Sequence, residues 1–137
     1  MPLREITIRD EKRNLADVLR RIDRGFINLD PDFQRDFVWL EDKQSKLIES
    51  IIMRIPLPVF YFAENDDSKL VVVDGLQRLS TIRRFAKDEL SLKLGETSEL
   101  HKKKFSDLSY DLQNRFEDCQ LMFFIIPKDT PLKARLD

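Results

Sequence analysis

The chain predicts one α+β domain, a small mixed sheet containing an antiparallel hairpin, with flanking helices. Apolar residues recur at helical spacing in three separate stretches. Short β-favouring runs lie between them, and two of these flank a polar turn cluster. The order of elements is not a regular strand–helix–strand alternation, so a doubly wound parallel sheet is not expected. The length of 137 residues suits one compact domain and not comfortably two.

Residues 3–8 alternate weakly and suggest a first short strand. Asn14 suits the cap of a helix whose apolar stripe is Leu15, Val18, Leu19 and Ile22, and Gly25 stands where a left-handed stop is expected. Residues 26–29 form a short β-favouring run before the Asp30-Pro31 break. Residues 31–39 show neither period and read as a loop held down by Phe33, Phe37 and Trp39. A second amphipathic helix covers about 41–54, burying Leu47, Ile48, Ile51, Ile52 and then Ile55, until Pro56 and Pro58 stop it.

Residues 59–62 and 70–73 flank Glu64-Asn65-Asp66-Asp67-Ser68, which predicts a hairpin. Val71-Val72-Val73 lacks polar alternation, the pattern of a strand covered on both faces. A third helix covers 76–87, with Leu79, Ile82, Phe85 and Ala86 inward and Arg83, Arg84 and Lys87 outward. Residues 89–94 read as a strand, Ser109 as the cap of a short helix to about 117, and residues 120–126 as the last strand. Residues 128–137 have no packing pattern and read as the start of a segment continuing beyond this chain.

Hydrophobic residues make up 42% of the sequence, enough for a core and against wholesale disorder. Charged residues reach 36%, yet the net charge is -1. That balance argues against a whole-surface nucleic-acid binder and leaves room for a local basic patch. The one cysteine, Cys119, cannot form an internal disulfide, which fits a reducing cytoplasm. The chain opens with no signal-peptide pattern, and no apolar run nears the ~20 residues of a membrane span. The expectation is a cytoplasmic domain with no membrane partner.

The chemistry concentrates at Asp74-Gly75-Leu76-Gln77-Arg78, where a strand opens directly into a helix. The first amides of a helix have no internal partners, and the dipole there favours an anion. Gly75 permits positive φ or close approach to a phosphate. Arg78 offers a non-titrating bidentate grip, and Asp74 could hold a metal ion or orient a water or ribose hydroxyl. Gln77, Ser80 and Thr81 add neutral hydrogen-bonding groups. The alternative is a plain tight turn in which Arg78 and Asp74 satisfy each other. Neither the phosphate loop nor the G-x-G-x-x-G fingerprint is present. A second cluster, Phe33-Gln34-Arg35-Asp36-Phe37 with Trp39, brackets a polar pair with aromatics. Its two readings are an ordinary anchored loop and a loop that offers Gln34 and Arg35 to a cleft.

Together the two clusters resemble one family. Pro31-x-Phe33-Gln34-Arg35, Trp39, a helix ending Ile55-Pro56-Leu57-Pro58, then Asp74-Gly75-x-Gln77-Arg78-Leu79-Ser80-Thr81 is similar to the N-terminal domain of GmrSD-type modification-dependent restriction systems. The resemblance covers roughly residues 14–127. It implies a ParB/sulfiredoxin-like fold with a Gly-x-x-Arg phosphate turn, here Gly75 to Arg78. It further implies binding and hydrolysis of a nucleoside triphosphate, with Mg²⁺ near Asp74, in control of a partner nuclease domain or subunit acting on DNA. Asp74, Gln77 and Arg78 would be catalytic. Gly75, Arg78, Leu79, Ser80, Thr81, Gln34 and Arg35 would bind nucleotide. Position 76 departs from the family's usual Asp-Gly-Gln-Gln-Arg, because Leu76 loses one polar contact, and the family's Asn- and Gly-rich continuation is missing.

Other residues carry less. A histidine-metal nuclease needs more than one histidine, so His101 reads as part of a polar connection. Cys119 lies far in sequence from the Gly-x-x-Arg turn, unlike a sulfiredoxin cysteine, and reads as a small core residue. Arg83, Arg84 and Lys87 would be the footprint of the second functional reading, a ParB-like DNA-binding module switched by nucleotide. A third reading is an interaction domain that has kept the fold without activity.

Overall fold

The computed structural model describes residues 7–29 and 39–129. Its elements in chain order are β1 (Arg9–Asn14), α1 (Leu15–Asp23), β2 (Ile27–Asn28), α2 (Glu41–Ile52), β3 (Phe60–Glu64), β4 (Leu70–Asp74), α3 (Leu76–Ala86), α4 (Tyr110–Glu117) and β5 (Gln120–Ile126). One sheet has the order β1-β5-β3-β4-β2. The β3–β4 hairpin is antiparallel as expected, and β1 joins β5 antiparallel. The pairings β3–β5 and β2–β4 are parallel, so the sheet is mixed. Parallel neighbours need long crossovers, and the helices supply them.

The first described strand begins at Arg9, and the predicted 3–8 strand falls largely outside the described residues. Strand β1 has no apolar alternation, because its core-side positions are charged and satisfy one another. Arg13 pairs with Glu11 at 2.8 Å and with Asp17 at 3.1 Å, and Arg9 reaches Glu11 at 3.2 Å. Asn14 caps α1 as predicted, its Oδ1 accepting the Asp17 amide at 2.8 Å. Gly25, at φ +81°, ends the helix, with the Phe26 amide donating back to the Arg21 carbonyl at 2.9 Å.

Three expectations are corrected. Ile55 is 47% exposed rather than buried, because Arg54 takes a left-handed φ of +63° and swings the chain off the apolar stripe of α2. Strand β4 is covered on both faces only in part: Val72 is buried, but Val73 is 42% exposed. Its edge neighbour β2 pairs with Leu70 and Val71 alone. Residues 89–94 are not a strand. Leu90 and Leu92 do bury, but the Lys93 amide donates to the Ser45 hydroxyl of α2 at 2.8 Å, and Leu92 exchanges backbone bonds with residues 102–103. A side-chain hydroxyl thus takes the bond that a neighbouring strand would have offered.

The core lies between one sheet face and the helices. Phe60, Phe62, Val72, Leu121, Phe123 and Ile125 supply the sheet side. Across from them Phe85 of α3 packs edge-on against Phe116 of α4, ring centroids 5.3 Å apart. Helix α2 packs against α3 and α4. No helix among the described residues is long and apolar enough to cross a membrane.

Two measurements check this packing. Phe116 is fully buried, so Phe116→Ala is expected to lower unfolding free energy by about 3–5 kcal/mol in denaturant titration. The Asp17 carboxyl is held well below the usual carboxylate range, chiefly by Arg20; burial opposes this as the next largest effect, and hydrogen bonds from Arg21 and Arg13 add to the lowering. A carboxyl depressed on folding contributes stability above its unfolded pKa of about 3.9 and loses it as pH falls. Stability of the parent should therefore drop as pH falls below about 4, while Asp17→Asn is less stable near neutrality and shows a shallower acid loss.

Candidate functional site

The end of β4 is irregular in a way that shapes the turn. Tyr61 stands opposite Asp74 but Phe62 stands opposite Val72, so Val73 is bulged out of register. Such an extra residue re-aims the chain beyond it. Asp74 emerges with its side chain 69% exposed. Gly75 then takes φ +114° and ψ 9° as the N-cap of α3, a residue with no side chain of its own to cap the helix. The first helical bond runs from the Leu79 amide to the Gly75 carbonyl at 3.0 Å. The amides of residues 76–78 therefore precede the helical ladder and lie at the positive end of the dipole.

Glycine is required here twice over. Its φ belongs to the left-handed side of the map, and a Cβ would sit 2.5 Å from Cδ1 of Phe60. The same ring carries Arg78, whose guanidinium carbon lies 4.1 Å from the ring centroid. Arg78 Nη1 donates to the Pro58 carbonyl at 2.5 Å and Nη2 to the Val59 carbonyl at 3.2 Å. Asp74 Oδ2 stands 3.8 Å from Nη2, with the Arg78 side chain only 11% exposed. Burial pushes the guanidinium below its ordinary pKa and Asp74 pushes it back; it stays charged at physiological pH. The Arg78–Asp74 pairing expected of a plain turn is present, but the backbone carbonyls of residues 58 and 59 are the closer partners.

Gln77 has a defined task. Its Oε1 accepts the Trp39 amide at 3.0 Å. The Trp39 carbonyl accepts from Gln44 Nε2 of α2 at 2.7 Å, and Arg84 of α3 donates to Gln44 Oε1 at 2.9 Å. This joins the two sequence clusters, 38 residues apart, at the Trp39 peptide. Gln34 and Arg35 lie outside the described residues. Gln44 does not stand out in the sequence motifs, although it occupies the apolar face that continues through Leu47, Ile48, Ile51 and Ile52. A buried polar residue on such a stripe, here 7% exposed, was the available signal.

The rest of the motif divides by burial. Ser80 is exposed on α3. Leu79 is fully buried, and Thr81 is buried with its hydroxyl donated to the Gln77 carbonyl at 2.7 Å. Both serve the helix and the core rather than facing solvent at the turn. Leu76 likewise joins the core, so the apolar residue at this position packs inward. Among the described residues no three His, Cys, Asp or Glu side chains converge to hold a metal ion.

The other candidates are tied into the fold. Arg83 and Lys87 share Asp23 of α1 at 3.7 and 3.6 Å, and Arg84 also approaches Glu41 at 3.7 Å. His101 Nδ1 accepts the Leu94 amide at 3.2 Å, fastening a connection. Cys119 is half-buried, and burial raises its thiol pKa, which leaves it a poor nucleophile. A cleft of about 550 Å³, lined by Arg54, Ile55, Asp111, Arg115 and Cys119 among others, opens between the end of α2 and α4. Neither Gly75 nor Arg78 lines it.

Gly75→Ala should lower stability by at least about 1–3 kcal/mol, the range for a side chain forced into a disfavoured backbone region. Adding Phe60→Leu should relieve the contact with the new methyl but not the backbone strain, a distinction that a double-mutant cycle reads.

The sequence matches the family described as GmrSD restriction endonuclease, N-terminal domain, over residues 15–134. Neither a curated protein nor a solved structure shows significant similarity to the chain. The matched span contains every described element from α1 to β5, the Gly75–Arg78 turn and the Trp39 peptide bonded to it. The chain belongs to the GmrSD restriction endonuclease N-terminal domain family, which gives it a role in a restriction system.

Proposed function

We propose that this domain binds a nucleoside triphosphate at the Gly75–Arg78 turn and that binding regulates a partner nuclease acting on DNA. The observation that carries the reading is the start of α3 on a left-handed glycine, with a fixed guanidinium beside it. Amides at a helix N-terminus and a nearby positive charge favour phosphate for the same electrostatic reason. Arg78 supplies that charge from a pre-set position, because two carbonyls and the Phe60 ring hold it. Water has little access to it, so its field at the turn is weakly screened.

Asp74 opposes an anion at the same place. A single exposed carboxylate suits Mg²⁺ when phosphate oxygens and water complete the coordination. The residues present fit that arrangement through Asp74 alone, the ion supplying neutralisation of phosphate charge. Hydrolysis is slow in this reading, since Gln77 Oε1 already accepts the Trp39 amide instead of orienting water. The mixed sheet ending in a Gly-x-x-Arg turn supports the assignment of a ParB/sulfiredoxin-like fold.

Titration calorimetry with ATP or GTP is expected to show Mg²⁺-dependent binding that Arg78→Ala weakens at least about tenfold, as loss of a charge-assisted contact does. Asp74→Asn should leave thermal stability nearly unchanged, as surface changes do, and should abolish the Mg²⁺ requirement. Absence of heat with every common triphosphate in Mg²⁺ would defeat the proposal.

A further inference from the structure

The Trp39 backbone is held on both sides of its α-carbon by glutamine side chains from different helices. Gln77 of α3 takes its amide hydrogen at 3.0 Å, and Gln44 of α2 donates to its carbonyl at 2.7 Å. Gln44 is buried, and its remaining oxygen accepts from Arg84 of α3, so its amide can turn over only by breaking two bonds. The indole is fixed as well, packed against the core with the Lys43 ammonium 4.6 Å from the ring centroid. A residue just before α2 is thereby tied to the second residue of α3, directly beside the amides at the turn.

We propose that Gln77 and Gln44 are positioning residues, and that the Trp39 peptide is the joint through which an anion at the Gly75–Arg78 turn acts on the start of α2. The inference rests on the turn being the triphosphate site. It gives Gln77 a task other than orienting water. A ligand that draws the amides of residues 76–78 outward moves the Gln77 backbone, and the Trp39 amide follows its acceptor. Helix α2 receives the displacement at its first turn, where Leu40 provides no side-chain cap to resist it. Hydrogen-bonded side-chain networks carry such shifts where the elements they link have two discrete arrangements, which the proposal assigns to the start of α2.

Trp39 is the one tryptophan in the chain, so its emission reads the joint directly. The experiment follows Trp39 emission and titration calorimetry in parallel, with ATP and Mg²⁺ as the probe. The parent protein should change emission with the same midpoint that calorimetry gives. Gln44→Glu keeps the shape and the Arg84 partner but removes the donor to Trp39, and Gln77→Ala removes the acceptor. In each variant that retains its far-UV circular dichroism, the emission change at saturation should fall below about half of the parent's. Calorimetric binding by the parent without an emission change, or a full response in both variants, overturns the joint while leaving the triphosphate site intact. No calorimetric heat in the parent removes the site and the joint together, and calorimetry reports that independently of Trp39.

Discussion

Phe60 occupies the space where any side chain at residue 75 would have to go, and its ring face carries the Arg78 guanidinium. This one aromatic ring sets the left-handed turn, the direction in which α3 leaves the sheet, and the position of the buried charge. It is itself fixed from the other side, packed edge-on against Phe123 of β5 with centroids 6.0 Å apart. The site therefore inherits its geometry from the middle of the sheet rather than from a loop. A cation over a ring is worth about 2 kcal/mol when water is largely excluded, which helps offset the cost of burying Arg78.

The arrangement also explains how a structural and an electrostatic role coexist in Arg78. A guanidinium has five N–H donors, and two are given to the carbonyls of Pro58 and Val59. Those bonds stitch the entry of β3 to the first turn of α3. They leave the full positive charge in place, with Asp74 at 3.8 Å as its exposed counter-charge. A lysine could not reproduce the planar fork that reaches two carbonyls while lying on a ring. Under the proposed function, the turn is poised between internal neutralisation by Asp74 and external neutralisation by an anion, with a cation deciding the balance.

Local chemistry was legible in the sequence wherever a short-range rule applied. The Asn14 cap, the Gly25 stop, the hairpin around residues 64–68 and the Ser109 cap each come from a side chain acting within a few residues. The strand-to-helix turn was legible for the same reason. Long-range pairing was not. Strand β1 hides because its charges are neutralised by α1, and apolar period-two reading cannot see a charged ladder. The 89–94 segment has the alternation of a strand, but its partner is the Ser45 hydroxyl. The Arg78 contacts lie 19 and 20 residues back along the chain, at carbonyls that carry no sequence signature. Gln44 is the exception, a long-range partner that the sequence does mark, as a polar side chain set into an apolar stripe.

Phosphate capture by the start of α3 is the claim on which the regulatory reading depends. The measurement closest to it is a proton–nitrogen correlation spectrum of the labelled protein titrated with ATP and Mg²⁺. The largest shifts are expected at the amides of Leu76, Gln77 and Arg78, moving together with one midpoint. Shifts centred instead on Arg54 and Arg115 at the α2–α4 cleft, with the three turn amides unmoved, would contradict it.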